Sequence, residues 1–429
     1  MPAATIDLPT RLRGLDSASP DYATQLVELL LAAARERGAS DVHLQPTPQG
    51  LALRWRIDGV LQPLGEFPRG QAADVVTRLK VLAQLLTYKT DVPQEGRIQT
   101  SPENSSSADC EMRVSTFPTL HGERAVVRLF ATERRFLHLH DLGLPAEIHA
   151  SLAALLAETS GAILITGPAG SGKTTTAYAC LRDIARAAQG RRSIVSLEDP
   201  IEMALEGASQ SQANLAAGFD LATGLRSLMR QDPEVVLVGE IRDAETAATV
   251  FQASLTGHLV ISTFHAGSAA SGVARLIDLG IEPYLVRSGL RAMLHQRLVR
   301  RLCECAAAGA TAGLPSSAGG PAGASPSHGP PLSADPLLGL PIKTARVAVG
   351  CPNCSHTGYR GRLVLAEQLP PLEGDLGRAV LSRSDVKELS QLAAAAGMID
   401  VFQRACQAAE AGLTDPAEVR RALGFSARV

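Results

Sequence analysis

The sequence predicts an α/β protein organised on a parallel sheet, with a second, smaller α/β domain ahead of it. Three observations lead there. From residue 161 onward, short apolar runs alternate with helix-compatible stretches, as the strand–helix units of a parallel sheet should. The stretch Gly167-Pro168-Ala169-Gly170-Ser171-Gly172-Lys173-Thr174 fits G-x-x-x-x-G-K-[ST] at every fixed position, between an apolar run at 161–166 and a helical one at 175–188. Before residue 131, strand-like alternation mixes with helical periodicity over a segment of roughly 110 residues, a usual size for a separate domain.

Composition sets the frame for these elements. The chain has 429 residues, too long for one ordinary core, so two or three domains are expected. Hydrophobic residues make up 45% and charged residues 20%, which fits a globular protein. A formal net charge of −2 gives no overall attraction to nucleic acid or to anionic lipid, and no nucleic-acid partner is expected. The longest apolar runs, such as 29–34, fall far short of the roughly 20 residues of a membrane span, and residues 1–14 lack a signal-peptide core. A cytoplasmic protein that meets a membrane only through partners is expected. The 7 cysteines are too few and uneven for a disulfide scaffold, and four of them bunch late in the chain, which suggests a metal.

In chain order, residues 1–20 are rich in Pro, Ser and Asp and are expected to be disordered. The small domain spans 21–131. Leu26, Leu29, Leu30 and Ala33 recur at helical spacing, and Gly38 is placed to stop that helix. Strand-like runs follow at 41–44 and 51–61, with Asp58-Gly59 as a turn signal, then a helix-like run at 72–86 and strand-like sequence at 111–117 and 124–130. Residues 132–145 read as a linker and 146–302 as the nucleotide domain. A cysteine element spans 303–362. Its Ala, Gly, Ser and Pro-rich insertion at 306–340 cannot bury enough apolar surface to fold alone and is expected to be disordered. Residues 363–429 read as helical, with Leu389, Leu392 and Met398 at core spacings and Thr414-Asp415-Pro416 as a capped start. Cys110, Cys180 and Cys406 read as buried small apolar residues.

The chemistry follows from the loop. Its glycines allow a turn tight enough for successive N–H groups to face phosphate oxygens, and the helix after it adds a positive end, Thr175 included. Lys173 would reach the β- and γ-phosphates and Thr174 would offer a hydroxyl to Mg²⁺. Strands expected at 193–197, 235–238 and 259–263 each adjoin a polar cluster, and in an open parallel sheet such clusters converge at the carboxyl ends. The clusters are Glu198-Asp199-Pro200-Ile201-Glu202, Gly239-Glu240-Ile241-Arg242-Asp243, and Thr256-Gly257-His258 with Ser262-Thr263-Phe264-His265. ATP hydrolysis needs an acid to organise Mg²⁺, a carboxylate to orient water and a polar group that senses the γ-phosphate. All three types are present, with Glu198 and Asp199 as candidates beside the nucleotide and His258 and His265 as candidate sensors.

These boxes resemble the secretion ATPase superfamily of type II secretion and type IV pilus assembly (GspE, PulE and PilB type). The match takes in the phosphate loop, the acidic box, the run Leu228-Met229-Arg230-Gln231-Asp232-Pro233-Glu234 before the Glu240 box, and the histidine box. Upstream it takes in Ala39-Ser40-Asp41-Val42-His43, Arg54-Trp55-Arg56-Ile57-Asp58-Gly59, Pro93-Gln94-Glu95-Gly96-Arg97 and Arg113-Val114-Ser115-Thr116. The resemblance implies a hexameric ATPase: a RecA-like P-loop NTPase domain, preceded by a small PAS-like α/β domain and followed by a cysteine knuckle and a C-terminal helical bundle. It implies ATP and Mg²⁺, with Glu202 as the water-orienting base and Glu240 as the Walker B carboxylate acting through Mg²⁺. It also implies arginines supplied across a subunit boundary, here Arg113, Arg124 and Arg128, and inner-membrane platform proteins as partners. Larger members carry a further N-terminal docking domain, for which the roughly 20 residues before the first expected helix leave no room; recruitment through it is not expected.

Members that assemble pili or secrete carry two C-x-x-C pairs, and retraction motors lack them. Two such pairs can close a tetrahedral Zn²⁺ site. Here Cys351-Pro352-Asn353-Cys354 is intact, while Cys303-Glu304-Cys305 is one residue short, so chelation by both of its thiols is expected to need a strained turn, with His356 as a substitute ligand. The implied role is to power a type II secretion pseudopilus or a type IV pilus. A RecA-like motor on DNA and a nucleotide-binding adaptor with little turnover stand as alternatives.

Overall fold

The computed structural model describes residues 8–70, 74–98, 111–130, 136–311 and 337–424. The chain divides into two units between Arg134 and Arg135.

The first unit runs α1 (Leu8–Arg13), α2 (Tyr22–Glu36), β1 (Asp41–Pro46), β2 (Leu51–Ile57), β3 (Val60–Phe67), α3 (Val75–Leu82), β4 (Gln94–Ile98), β5 (Glu111–Thr119) and β6 (Gly122–Phe130). Its sheet has the order β3-β2-β1-β6-β5-β4 and every pairing is antiparallel. The turn expected at Asp58-Gly59 joins β2 to β3, and both residues take positive φ, 48° and 80°, as a tight hairpin requires. Alternation sends Val42, Leu44, Leu53, Trp55, Val114 and Val127 into one core with Leu26, Val27 and Leu30 of α2. The expected disorder at 1–20 is corrected for its described part: Leu8 and Leu12, one helical turn apart on α1, are buried in that same core. Residues 1–7 lie outside the described residues.

The second unit contains a 3₁₀ turn (Leu139–Leu142), α4 (Ala146–Leu155), β7 (Gly161–Thr166), α5 (Lys173–Ala188), β8 (Ile194–Glu198), β9 (Ser209–Gln212), α6 (Leu221–Leu228), β10 (Val235–Ile241), α7 (Ala244–Leu255) and β11 (Leu259–Phe264). It continues with α8 (Ala269–Asp278), α9 (Pro283–Gly289), β12 (Leu290–Leu302), β13 (Ala307–Thr311), β14 (Thr344–Val347), β15 (Tyr359–Gln368), α10 (Gly374–Leu381), α11 (Val386–Ala395), α12 (Val401–Glu410) and α13 (Pro416–Leu423). The seven-stranded sheet has the order β15-β12-β7-β11-β10-β8-β9, parallel except for β15, which closes one edge antiparallel to β12. Both faces are covered, which explains why the inner strands read as continuous apolar runs rather than alternating ones. Ala162 and Leu164 pack toward residues of α7 to α11. Ile163 and Ile165 pack toward α4 and α5.

Three boundaries differ from expectation, each because pairing or burial overrides local composition. Leu139, inside the expected linker, is buried in the sheet's core, and its N–H donates to the Asp183 carboxylate at 3.0 Å. The ends of the expected disordered insertion are ordered: β13 pairs with β14, and Leu337 and Leu340 are buried with Val299 and Val419. Residues 312–336 lie outside the described residues. The helical region begins at Gly374, because residues 363–368 complete β15. Cys180 and Cys406 are buried as expected; Cys110 lies outside the described residues. Among the described residues, no helix is long and apolar enough to cross a membrane.

Candidate functional site

The phosphate loop leaves the fully buried strand β7 and enters α5. Gly170 and Gly172 take φ of 73° and 88°, a region that L side chains avoid, so the glycines are required by the turn itself. Residues 168–170 form its exposed tip, and Thr175 is exposed on the first turn of α5. The N-terminal end of α5 faces the same space, giving a site for an anion. Lys173 curls back over the loop, and its Nζ donates to the carbonyls of Gly167 at 3.0 Å and Pro168 at 3.1 Å. Burial pushes the Lys173 ammonium below its ordinary pKa, against the opposing pull of the Glu240 and Glu202 carboxylates. Both carboxylates are near enough to the lysine to act on its charge.

Glu202 lies beyond the end of β8, and its Oε1 accepts from the Thr174 hydroxyl at 3.5 Å. Glu240, near the carboxyl end of β10, is engaged at both oxygens: Oε2 accepts from Arg242 Nε at 2.8 Å and Oε1 meets His265 Nε2 at 2.6 Å. Arg242 also donates to Asp199 at 3.2 Å, which joins the acidic box to the Glu240 box. The hydroxyl of Thr263 donates to the Gly239 carbonyl at 2.7 Å, fixing β11 against β10 just before His265. Lys173, Thr174, Asp199, Glu202, Glu240 and His265 therefore gather at the carboxyl ends of adjacent strands, where an open parallel sheet binds its ligands.

Two expected site residues do not join them. Glu198 is only 3% exposed, and its carboxylate is taken up by the protein's own donors: the Tyr178 hydroxyl, Ser196 Oγ at 2.6 Å and Gln210 Nε2 at 3.2 Å. It is the last residue of β8 and points into the packing between β8 and α5. Burial, reinforced by Glu198, raises the Tyr178 phenol well above its ordinary pKa, so it stays a donor. His258 precedes β11 at its amino end, where Nδ1 meets the Ala253 carbonyl at 3.1 Å. At about 3.3 Å per residue, β11 puts roughly 20 Å between His258 and His265.

The structure also adds residues that the motifs did not indicate. Arg242 carries no role of its own in the Glu240 box as a sequence, yet it links Glu240 to Asp199. His295 and Gln296 of β12 lie beside the loop, each 1% exposed. His295 Nδ1 meets the Thr166 hydroxyl at 3.1 Å, and burial, with the Arg297 and Lys173 charges, pushes the ring down to about 3, so it is neutral. The polar run His295-Gln296-Arg297 between Leu294 and Leu298 in a strand is the available signal, since buried polar side chains need partners.

In the first unit, Arg113, Arg124 and Arg128 share the sheet face opposite its core. Arg128 Nε donates to Asp41 Oδ1 at 3.0 Å and Arg124 Nη2 meets His43 Nδ1 at 3.2 Å. Arg113 and Arg128 are register partners across β5 and β6, and with Arg97, Glu95 and Ser115 they line a cavity of about 560 Å³.

The four late cysteines converge. The Sγ atoms of Cys303, Cys305, Cys351 and Cys354 all lie within 4.8 Å of one another, with Cys303–Cys351 and Cys305–Cys354 at 3.9 Å. Four thiolates on a tetrahedral Zn²⁺ at about 2.3 Å would stand about 3.8 Å apart, so the set fits that ion. Cys354 Sγ accepts N–H bonds from Cys351 at 3.1 Å and Gly358 at 3.3 Å; although burial opposes it, such bonds help hold this thiol down to about 6. The expectation about the short pair is corrected: a turn at 304–305 brings both thiols in with neither cysteine at positive φ. His356 is exposed and outside the cluster.

A family model described as Type II/IV secretion system protein matches residues 16–421. The "Type II secretion system ATPase E" of Vibrio cholerae is 40% identical over 363 residues, covering 85% of this chain and 68% of that protein. The "Type II secretion system protein E" of Xanthomonas campestris pv. campestris is 36% identical over 419 residues, covering 98% of this chain and 70% of that protein. Among solved structures, the Legionella pneumophila ATPase DotB aligns with a TM-score of 0.65 at 18% identity, over 92% of this chain and 95% of that one. The pilus retraction motor PilT with bound ADP aligns with a TM-score of 0.57 at 21% identity, over 91% and 95%. These structural likenesses speak to the fold.

Proposed function

The chain belongs to the type II/IV secretion system protein family, and from that membership we propose that it is the ATP-hydrolysing motor of a type II secretion pseudopilus or a type IV pilus. The observation that carries this is the convergence on one phosphate loop of Lys173, Thr174, Glu202, Glu240 and His265, with Thr174 Oγ1 and Glu202 at 3.5 Å and Glu240 and His265 at 2.6 Å. The loop N–H groups and the end of α5 bind the phosphates. Lys173 exchanges the Gly167 and Pro168 carbonyls for phosphate oxygens. Glu202 orients the attacking water and accepts its proton, beside a threonine hydroxyl that holds its position. His265, paired with Glu240, reads the γ-phosphate. The Thr174 hydroxyl, and Glu240 at one remove, would hold Mg²⁺, which would supply positive charge against the phosphates.

The working form is a homo-oligomer, most simply a hexamer, in which one of Arg113, Arg124 and Arg128 acts on a neighbouring subunit's nucleotide. A cation so placed contributes about 10³- to 10⁵-fold in other NTPases. The protein acts in the cytoplasm and meets the inner membrane through platform proteins. Closure on ATP and reopening after hydrolysis would convert chemistry into motion.

The test is steady-state ATPase activity against protein concentration for wild type and Glu202→Gln, with mass measured on the same samples. Activity is expected to rise as oligomers form, with the variant assembling normally but hydrolysing about 10²- to 10⁴-fold more slowly. Wild type that assembles and binds ATP yet turns over no faster than the variant would make the protein a nucleotide-binding adaptor instead.

We infer further that the four cysteines hold a structural Zn²⁺ that ties the end of β12 to the segment before β15. About one equivalent of zinc should copurify, and Cys354→Ser should lose it together with thermal stability. Less than about a tenth of an equivalent in wild type rules the metal out.

A further inference from the structure

The phosphate loop is braced by a residue far from it in sequence. Thr166 and His295 are register partners on β7 and β12, so Gln296 stands beside Gly167, where the chain leaves the sheet to form the loop. The side-chain amide of Gln296 is satisfied at both ends: Nε2 donates to the Ser171 carbonyl at 2.7 Å, and Oε1 accepts from the Thr176 hydroxyl at 3.0 Å. Ser171 belongs to the loop and Thr176 to the first turn of α5, so one side chain ties together the two segments whose N–H groups face the anion. The backbone approach is equally close, since a Cβ on Gly167 would lie 2.4 Å from the Gln296 carbonyl oxygen.

The consequence lies in peptide geometry. The Ser171 carbonyl and the Gly172 N–H belong to one rigid plane and point in opposite directions. With the carbonyl drawn inward to a 1%-exposed amide, the Gly172 N–H is turned outward to the side from which a phosphate would approach. We propose that Gln296 is a positioning residue for the nucleotide, fixing the Ser171–Gly172 peptide in the orientation that binds phosphate. This inference rests on the reading of residues 167–174 as the ATP site. An apolar side chain of the same size would fill the space but leave the Ser171 carbonyl buried without its donor, and the peptide would be free to turn.

The experiment compares wild type, Gln296→Met and Thr176→Val for Mg-ADP affinity by calorimetry, for KM and kcat with ATP, and for Tm without nucleotide. Gln296→Met is expected to weaken ADP about tenfold and to raise KM by a similar factor, with the loss falling on KM rather than kcat. Thr176→Val, which frees only one end of the amide, should weaken ADP about threefold. A lowered Tm with unchanged ADP affinity makes Gln296 a packing residue and overturns the proposal. So does a loss confined to kcat. If Gln296→Met does not fold, unchanged ADP affinity in Thr176→Val is decisive against it. Failure of wild type to bind ADP would instead overturn the ATP-site reading on which the proposal stands.

Discussion

At the carboxyl ends of β8, β10 and β11 the chain brings Glu202, Glu240 and His265 toward Lys173, whereas at the amino end of β11 His258 meets the end of its own preceding helix. The two ends are connected by one strand and belong to one sequence motif. The acidic box divides in a related way: Glu202 lies past the end of β8 beside Thr174, while Glu198, four residues earlier and still within the strand, turns inward to Tyr178, Ser196 and Gln210. A motif therefore names a neighbourhood in the chain, and strand geometry then sorts its members. Residues beyond the carboxyl ends of a parallel sheet reach the crevice, as does Glu240 from the irregular last residues of β10; a residue in the regular ladder, such as Glu198, goes to a face, and one before its strand goes to the opposite edge.

The largest effect that would sharpen this contrast is expected at the two histidines. His265→Ala removes the partner of Glu240 and should lower kcat about 100-fold at saturating ATP, in protein whose assembly matches wild type. His258→Ala should leave kcat within about twofold, because its ring bonds only the turn at the end of α7. Equal losses in the two variants would break the comparison, because a ring roughly 20 Å away along the strand would then be taking part in hydrolysis.

Much of the site was legible in the sequence because it is contiguous and punctuated. The phosphate loop, the Asp58-Gly59 hairpin and the Asp415-Pro416 helix start are set by residues whose backbone preferences act locally. The convergence of Glu202, Glu240 and His265 was legible at one remove, since successive parallel strands must end side by side. What could not be read depends on pairing between distant segments. Gln296 stands more than a hundred positions after the loop that it braces, and only the register of β12 against β7 brings them together. The inward turn of Glu198 depends on strand parity, and a boundary shifted by one residue reverses it. Residues 363–368 look helical alone and become a strand because β12 offers an edge. The short Cys303–Cys305 spacing looked strained by analogy with longer pairs, yet the turn at 304–305 suffices.

The smaller effect sharpens the acidic half of the contrast. In Glu198→Gln one carboxylate oxygen becomes an NH₂ group, which cannot accept from the Tyr178 hydroxyl, Ser196 Oγ or Gln210 Nε2. At least one donor in this buried cluster then loses its acceptor, at a cost of about 1–3 kcal/mol, read as a lower Tm. The loss should appear equally with and without nucleotide, with kcat and KM within about twofold of wild type, because no bond of Glu198 reaches the loop. Tyr178→Phe, which removes the hydroxyl but not the ring, should lower Tm in the same direction by a smaller amount, since it leaves Ser196 and Gln210 to satisfy the carboxylate. If Glu198→Gln instead keeps its Tm and loses hydrolysis as Glu202→Gln does, the carboxylate belongs to the nucleotide site. The line between residues within the strand and residues beyond it would then have to be redrawn.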